Sequence, residues 1–156
     1  MLKKTIKYHD YDGNEREDDF YFHLTQIEMN KINADPSLPG GIEETINRAT
    51  KNQDAGEMLR VIDMLISRSY GVKLPEGGFV KRNASGLPLY ELFVNTEAYD
   101  NLLSELIRSE RAITDFLMGC LTEEARRQVQ AEIAKREEEA RNAVKLTPVD
   151  ANGDVK

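Results

Sequence analysis

The chain has 156 residues and a formal net charge of −7, from 21 lysines and arginines against 28 aspartates and glutamates. This excess of acid argues against binding to a nucleic-acid backbone, which needs clustered basic side chains. One cysteine and two histidines exclude an internal disulfide and leave little for metal or acid–base chemistry. No apolar run approaches the ~20 residues of a membrane-spanning helix, so composition predicts a soluble, acidic, intracellular protein without a membrane partner.

The first predicted element is a β-hairpin. Apolar side chains alternate over residues 3–8 and again at Phe20 and Phe22, as in strands with one buried face. Residues 10–14 read Asp-Tyr-Asp-Gly-Asn, which favours a tight turn because glycine tolerates a positive φ. A calcium-binding EF-hand loop would need a glutamate where Tyr21 stands, so that reading fails. A hairpin is marginal alone, and we expect its aromatic face to pack on the helices that follow.

Helical periodicity begins after residue 24. Thr25 and Glu28 form a capping box, in which each side chain bonds the other residue's backbone N–H at the start of a helix. The apolar positions of this helix are Ile27, Met29 and Ile32. A second helix is predicted over residues 42–52, with acids in its first turn, where they complement the helix dipole.

The next helix is predicted to be the centre of the core. Residues 55–70 are apolar on more than one face, which indicates burial on more than one side. Gly71 follows at the position where a left-handed residue ends many helices. Residues 72–88 are rich in glycine and proline, and they predict either a long loop or a small second hairpin around residues 76–78.

Three shorter helices are predicted to follow: one over residues 89–94, one capped by Thr96 and one that begins at Ser109. Their apolar residues recur at a spacing of three and four, and we expect them to close over the central helix and the hairpin. The predicted fold class is therefore α+β and mainly α-helical, with an N-terminal β-hairpin packed on a helical bundle and a long charged C-terminal helix.

That last helix differs from the others, because residues 122–145 carry six acids and six bases around a thin apolar stripe. The pairs at favourable i,i+4 spacing are Glu123 with Arg127, Glu132 with Arg136 and Glu137 with Arg141. We expect three parts: a folded domain over residues 1–121, a charged helical extension over residues 122–145, and a disordered tail over residues 146–156.

The sequence carries no catalytic signature. Glycine motifs that cradle phosphates and the serine nucleophile elbow are absent. Cys120 lies in an apolar helical stretch and is expected to be a buried structural thiol. His9 and His23 lack the spacing of metal ligands. We therefore expect no enzyme activity, no metal and no cofactor.

Two features suggest protein binding instead. The aromatic set Tyr90, Phe93 and Tyr99 is either core, which its spacing favours, or, if exposed, an interaction patch. The long charged helix is either a solvated cap or a surface that offers Val129 and Ile133 to a partner's groove or to a second copy in a homo-oligomer.

A set of short segments follows a recognisable order along the chain. The segments are residues 3–8, 12–15, 20–22, 24–25 and 40–43, Asp54, the apolar helix that ends in Ser69, Tyr70 and Gly71, then Phe79, Lys81, Phe93, residues 96–99 and the apolar helix 112–121. In this order they resemble tail assembly chaperones of siphovirus-type bacteriophages. The resemblance covers about residues 3–121, so residues 122–156 are expected to extend beyond the family's usual end.

The resemblance implies a non-enzymatic role in the host cytoplasm. Such chaperones bind the tape-measure protein, keep it soluble, recruit tail-tube subunits and leave before the virion is complete. The alternative is a structural tail or head–tail component that is retained in the virion. A third reading, a host-directed regulator that binds nucleic acid, is disfavoured because no basic face is evident.

Overall fold

The computed structural model describes residues 1–145, and the predicted disordered tail at residues 146–156 lies outside the described residues. The elements in chain order are β1 Leu2–His9, β2 Glu15–Phe22, α1 Gln26–Asn33, α2 Gly41–Asn52, α3 Ala55–Ser69, β3 Tyr70–Lys73, β4 Phe79–Val80, α4 Tyr90–Phe93, α5 Glu97–Leu106, α6 Glu110–Cys120 and α7 Glu123–Lys145. The predicted fold class is confirmed: the chain is α+β and mainly helical, with an N-terminal hairpin and a long C-terminal helix.

The predicted hairpin is the first half of a four-stranded antiparallel sheet in the order β1-β2-β3-β4. Its turn has the chemistry that the sequence predicts. Asp10 Oδ1 accepts the backbone N–H groups of Asp12 at 3.1 Å and Asn14 at 2.9 Å. Gly13 adopts a φ of +82°, which explains why a residue without a β-carbon stands there.

The second hairpin, one of the two alternatives for residues 72–88, is present as β3 and β4. Its turn closes where the Leu74 N–H donates to the Gly78 carbonyl oxygen at 2.7 Å. The residues after β4 form a loop that Asn83 organises, because its side-chain oxygen accepts the backbone N–H groups of Ser85 and Leu87 at 3.0 and 2.9 Å. The glycines and prolines of this region therefore mark a hairpin and then a structured loop.

The prediction that Gly71 ends the central helix in a left-handed conformation is wrong. Gly71 lies in β3, is buried, and is not among the residues with positive φ. A β-carbon there would lie 2.6 Å from the Val80 carbonyl oxygen and 2.6 Å from Cζ of Phe79. The glycine thus permits a close approach of neighbouring strands, which its position after a helix could not reveal.

The core of the unit Met1–Thr122 forms around α3, as the sequence predicts. Helices α2, α5 and α6 pack against α3, and both α5 and α6 contact β1. The aromatic face of the hairpin joins this core, because the Phe22 ring lies 5.1 Å from that of Phe116 and 6.0 Å from that of Phe93, both edge-on. Such edge-to-face contacts add to the stabilisation from apolar burial.

A second compact unit begins at Glu123 and is described here by its helix α7. Two of its predicted ion pairs form: Arg127 with Glu123 at 2.6 Å and Arg136 with Glu132 at 2.9 Å. Exposed pairs of this kind contribute only a few tenths of a kcal/mol each, roughly 0.3–0.5. Within residues 1–145, no helix combines the length and the apolar character needed to cross a membrane.

Candidate functional site

A cleft of about 510 Å³ opens in the unit Met1–Thr122, and its lining side chains come from α1, α3, α4 and residues 81–88. This volume falls in the range of sites that bind ligands, roughly 300–1,000 Å³. Its walls are largely polar and charged. The cleft is the candidate site, and its geometry follows from three local arrangements of the chain.

The first arrangement is the predicted capping box, which fixes Glu28 at the cleft. Thr25 Oγ1 accepts the Glu28 N–H at 3.2 Å, and Glu28 Oε2 accepts the Thr25 N–H at 2.9 Å. The other carboxylate oxygen, Oε1, accepts from Lys81 Nζ at 2.7 Å. Burial alone would raise the pKa of Glu28, but hydrogen bonds from Lys81 and Thr25 outweigh that effect and hold the pKa below its usual range.

The second arrangement is a bridge across the cleft made by Lys81. Besides Glu28 on α1, its ammonium donates to the backbone carbonyl oxygen of Arg68 near the end of α3, at 2.8 Å. Arg68 in turn places its guanidinium 3.8 Å from the Asp35 carboxylate. One lysine after β4 therefore ties the loop to two helices.

The third arrangement centres on Asp63, which the sequence analysis did not single out. The hydroxyls of Tyr90 and Tyr99 both donate to Asp63 Oδ1. Burial and the hydrogen bond to the carboxylate raise the pKa of both tyrosines, that of Tyr99 to about 12. The available signal was one acid, Asp63, inside the apolar run of the central helix, where an unpaired charge would be costly.

The predicted aromatic residues lie together in the structure. Tyr90 is half-buried and lines the cleft, whereas Phe93 is 2% and Tyr99 8% exposed. The Phe93 ring stacks on that of Tyr70, with centroids 4.4 Å apart and planes 11° apart. Phe93 and Tyr99 are therefore core residues, and of the three only Tyr90 reaches the cleft; a partner-binding role for the set stays a prediction.

The other two predicted partner-binding residues, Val129 and Ile133, lie four positions apart on α7. Residues at this spacing share one face of a helix. Both side chains are half-buried. Their binding to a partner or to a second copy stays a prediction.

Three aliphatic side chains that adjoin cleft-lining residues in the chain are exposed: Ile27 at 68%, Leu87 at 61% and Leu92 at 71%. We call Ile27, Leu87 and Leu92 the aliphatic rim. Each of them is adjacent in the chain to a residue that lines the cleft, namely Glu28, Pro88 and Glu91. Exposed apolar side chains mark a protein-binding surface where they form a contiguous patch.

Ile27 differs in exposure from the other two apolar residues of α1. The sequence predicts apolar positions at Ile27, Met29 and Ile32, and of these Met29 and Ile32 are buried. Because successive residues of a helix are about 100° apart, the side chain of Ile27 lies on a different face of α1 from those of Met29 and Ile32. An apolar residue in a helical segment is therefore not always a buried one.

The cysteine and the two histidines, which the sequence offers for catalysis or metal binding, take structural roles. Cys120 is fully buried, and burial raises the pKa of its thiol to about 12, which makes it a poor nucleophile. His9 is exposed and lies 3.6 Å from the Glu97 carboxylate, while burial lowers the pKa of His23. Within the described residues, no group of histidine, cysteine and acidic side chains is arranged to hold a metal ion.

Nearly the whole chain matches a known protein family. The family model described as phage tail assembly chaperone matches residues 1–153. The match continues through α7, so the prediction that the segment after residue 121 extends beyond the family's usual end is wrong for residues 122–153. The chain matches none of the curated proteins or solved structures with which it was compared.

Proposed function

The chain belongs to the phage tail assembly chaperone family, and from this membership we propose that it binds the tape-measure protein and recruits tail-tube subunits during tail assembly, without catalysis. The observation that carries the proposal is the family match over residues 1–153. It covers both units of the fold, so the proposed role is one of the whole chain rather than of one segment.

The surface of the protein supports a binding role. The aliphatic rim exposes three large apolar side chains, and their burial against a partner is favourable by about 25 cal/mol per Å² of apolar area. The net charge of −7 favours solubility of the free chaperone. A chaperone with these properties can cover apolar surface on another protein and keep the complex in solution.

We place this action in the host cytoplasm, before the virion is complete. The single cysteine is a free and buried thiol, in keeping with a reducing compartment. An assembly factor is released when its substrate reaches the final structure. The proposal therefore includes the absence of this chain from the mature virion.

The direct test is co-expression with the tape-measure protein encoded by the same phage genome. We expect the tape-measure protein to stay soluble and to co-purify with the chaperone, and to precipitate when expressed alone. Adding the tail-tube protein should yield a complex of three components. Failure to associate with either protein at micromolar concentration, with no gain in tape-measure solubility, contradicts the proposal.

Mass spectrometry of purified virions separates the proposal from its alternative. A chaperone should be missing from finished particles but present in tail-assembly intermediates. Recovery of the chain in stoichiometric amounts from intact virions would instead indicate a structural tail or head–tail component.

A further inference from the structure

We infer that the cleft between α1, α3 and α4 is the surface on which this chaperone holds an acidic, amphipathic segment of the tape-measure protein. The inference rests on the proposed function and adds a place on the fold and a chemistry for the bound segment. It follows from the charge of the cleft, from the donors that remain available in it, and from the aliphatic rim beside it.

The charge of the cleft is opposite to that of the chain. The lining contains four bases, Lys31, Arg68, Lys81 and Arg82, and three acids, Glu28, Asp63 and Glu91. The whole chain, in contrast, has 28 acidic against 21 basic residues. A lining with one more base than acids, on a protein of net charge −7, favours the approach of carboxylates over that of cations.

Two of the three acids in the cleft already accept hydrogen bonds from the protein itself. Asp63 Oδ1 accepts both tyrosine hydroxyls. Both oxygens of Glu28 are engaged, one by Lys81 and the other by the backbone of Thr25. These two carboxylates therefore take part in the hydrogen bonds that organise the walls of the cleft.

The bases, by contrast, keep donors available. Arg82 donates through Nη1 to the Gly86 carbonyl oxygen at 2.8 Å, which uses few of the five N–H groups of a guanidinium. Arg68 makes a 3.8 Å ion pair with Asp35 through one nitrogen, Nη2. Lys31 makes no ion pair with any residue in the described range 1–145. The surplus of charged donors fits a ligand that supplies carboxylate oxygens.

The aliphatic rim decides what kind of ligand carries those oxygens. A helix with acids on one face can bind the basic lining, and apolar side chains beside those acids can cover exposed aliphatic groups of the rim, each of which adjoins a lining residue in the chain. A nucleic acid has no aliphatic groups for the rim, and its phosphates meet a chain of charge −7. The observations thus favour an acidic protein segment over a polyanionic nucleic acid.

The test uses the full chain and the tape-measure protein of the same phage. The double variant Lys31→Glu/Arg82→Glu reverses two cleft bases, and Lys51→Glu/Arg108→Glu makes the same change in net charge at exposed positions outside the lining. We expect the cleft variant to bind at least about tenfold more weakly and the control within about twofold of the unmodified chain. The neutral variant Lys31→Gln/Arg82→Gln should show an intermediate loss and replaces the reversal if circular dichroism shows that the reversal misfolds.

The aliphatic rim is tested in parallel. Leu87→Ser/Leu92→Ser should weaken binding by about tenfold or more, whereas Leu59→Ser/Ile107→Ser, at positions 39% and 37% exposed outside the cleft, should not. Binding of the unmodified chain should also weaken between about 0.05 and 0.5 M salt, because the contact is partly electrostatic.

The outcomes separate the two proposals. If the unmodified chain binds the tape-measure protein and the cleft and rim variants bind equally well, the cleft assignment is overturned while the proposed function stands. If the unmodified chain does not bind at all, both are overturned. If the cleft variants lose binding to a single-stranded RNA oligonucleotide but keep binding to the tape-measure protein, the cleft serves nucleic acid and the inference is wrong.

Discussion

The hydroxyl of Tyr99 donates to the carboxylate of Asp63, and this hydrogen bond joins α5 to α3. Tyr90 on α4 donates to the same oxygen, so one half-buried carboxylate connects three helices beside the cleft. A typical intramolecular hydrogen bond contributes about 0.5–1.5 kcal/mol to stability, and one to a charged acceptor contributes more. The arrangement therefore matters for stability as well as for the shape of the cleft wall.

The first prediction concerns this hydrogen bond. Tyr99→Phe keeps the ring in the core but removes the donor, and it should lower the free energy of unfolding by about 1–2 kcal/mol. Tyr11→Phe is the matched control, because Tyr11 is 91% exposed and its hydroxyl bonds a surface carbonyl. Urea denaturation measures both changes, and equal midpoints for the two variants would contradict the structural role of Asp63.

A second prediction concerns stability at high pH. The pKa of Tyr99 is raised from about 10 to about 12 in the folded state, so folding favours the neutral hydroxyl. This contribution is fully present below pH ~10 and is lost as the pH rises through ~12. The unmodified chain should therefore lose stability over this window more steeply than Tyr99→Phe. If the free energies of unfolding of the two proteins fall in parallel as the pH rises, the titration of the Tyr99 hydroxyl does not contribute to the loss of stability.

How far the sequence predicts this fold depends on how local each interaction is. Thr25, Thr96 and Ser109 cap the helices that they were predicted to begin, because a cap involves residues three positions apart. Asp63 was missed because its donors lie 27 and 36 residues further along the chain. No local pattern reports which distant hydroxyls will reach a carboxylate.

The cleft shows the same limit. The sequence singled out Tyr90, which lines it, but gave no reason to connect Lys81 with Glu28, 53 residues away. The composition does not reveal that the cleft lining carries more bases than acids, because these basic residues come together only when three helices and a loop meet. The aliphatic rim was likewise hidden, since Ile27 counts as apolar in any window of sequence.

The third prediction concerns Gly71. Gly71→Ala should destabilise the fold by about 1–3 kcal/mol, because the new methyl group would overlap both the Val80 carbonyl oxygen and the Phe79 ring. Gly56→Ala is the matched control. Gly56 lies in α3, where alanine favours the helix, and its new β-carbon would lie 3.5 Å from the nearest atom, Oδ1 of Asp54. Thermal unfolding should rank Gly71→Ala clearly below the unmodified chain and Gly56→Ala at or above it. If Gly71→Ala unfolds at the same temperature as the unmodified chain, the close approach of the strands at this position is ruled out.

The fourth prediction links the capping box to the cleft. Thr25→Ala should cost about 1 kcal/mol through the lost cap, whereas Thr50→Ala, at an exposed position in α2, should be neutral or slightly stabilising. Because Glu28 bonds Thr25 with one oxygen and Lys81 with the other, the two contacts should be coupled. A double-mutant cycle of Thr25→Ala with Lys81→Ala should give an interaction energy of at least about 0.5 kcal/mol. Strict additivity would mean that cap and bridge act independently.

The last prediction concerns β1, the strand at one edge of the sheet. Helix α5 bonds the backbone of this strand: Asn101 Nδ2 donates to the Lys7 carbonyl oxygen at 2.9 Å, and Glu97 Oε2 accepts the His9 N–H at 3.1 Å. An uncovered edge offers unpaired backbone groups to other chains.

The double variant Glu97→Ala/Asn101→Ala frees both groups of β1 while leaving the buried face of α5 intact. It should lose about 1–2 kcal/mol of stability and aggregate faster in a light-scattering assay at constant concentration. Asp100→Ala/Ser104→Ala changes two other exposed residues of the same helix and serves as the control. If the two variants aggregate at the same rate, the side chains of α5 do not protect the edge, and the lysines of β1 alone must keep other strands away.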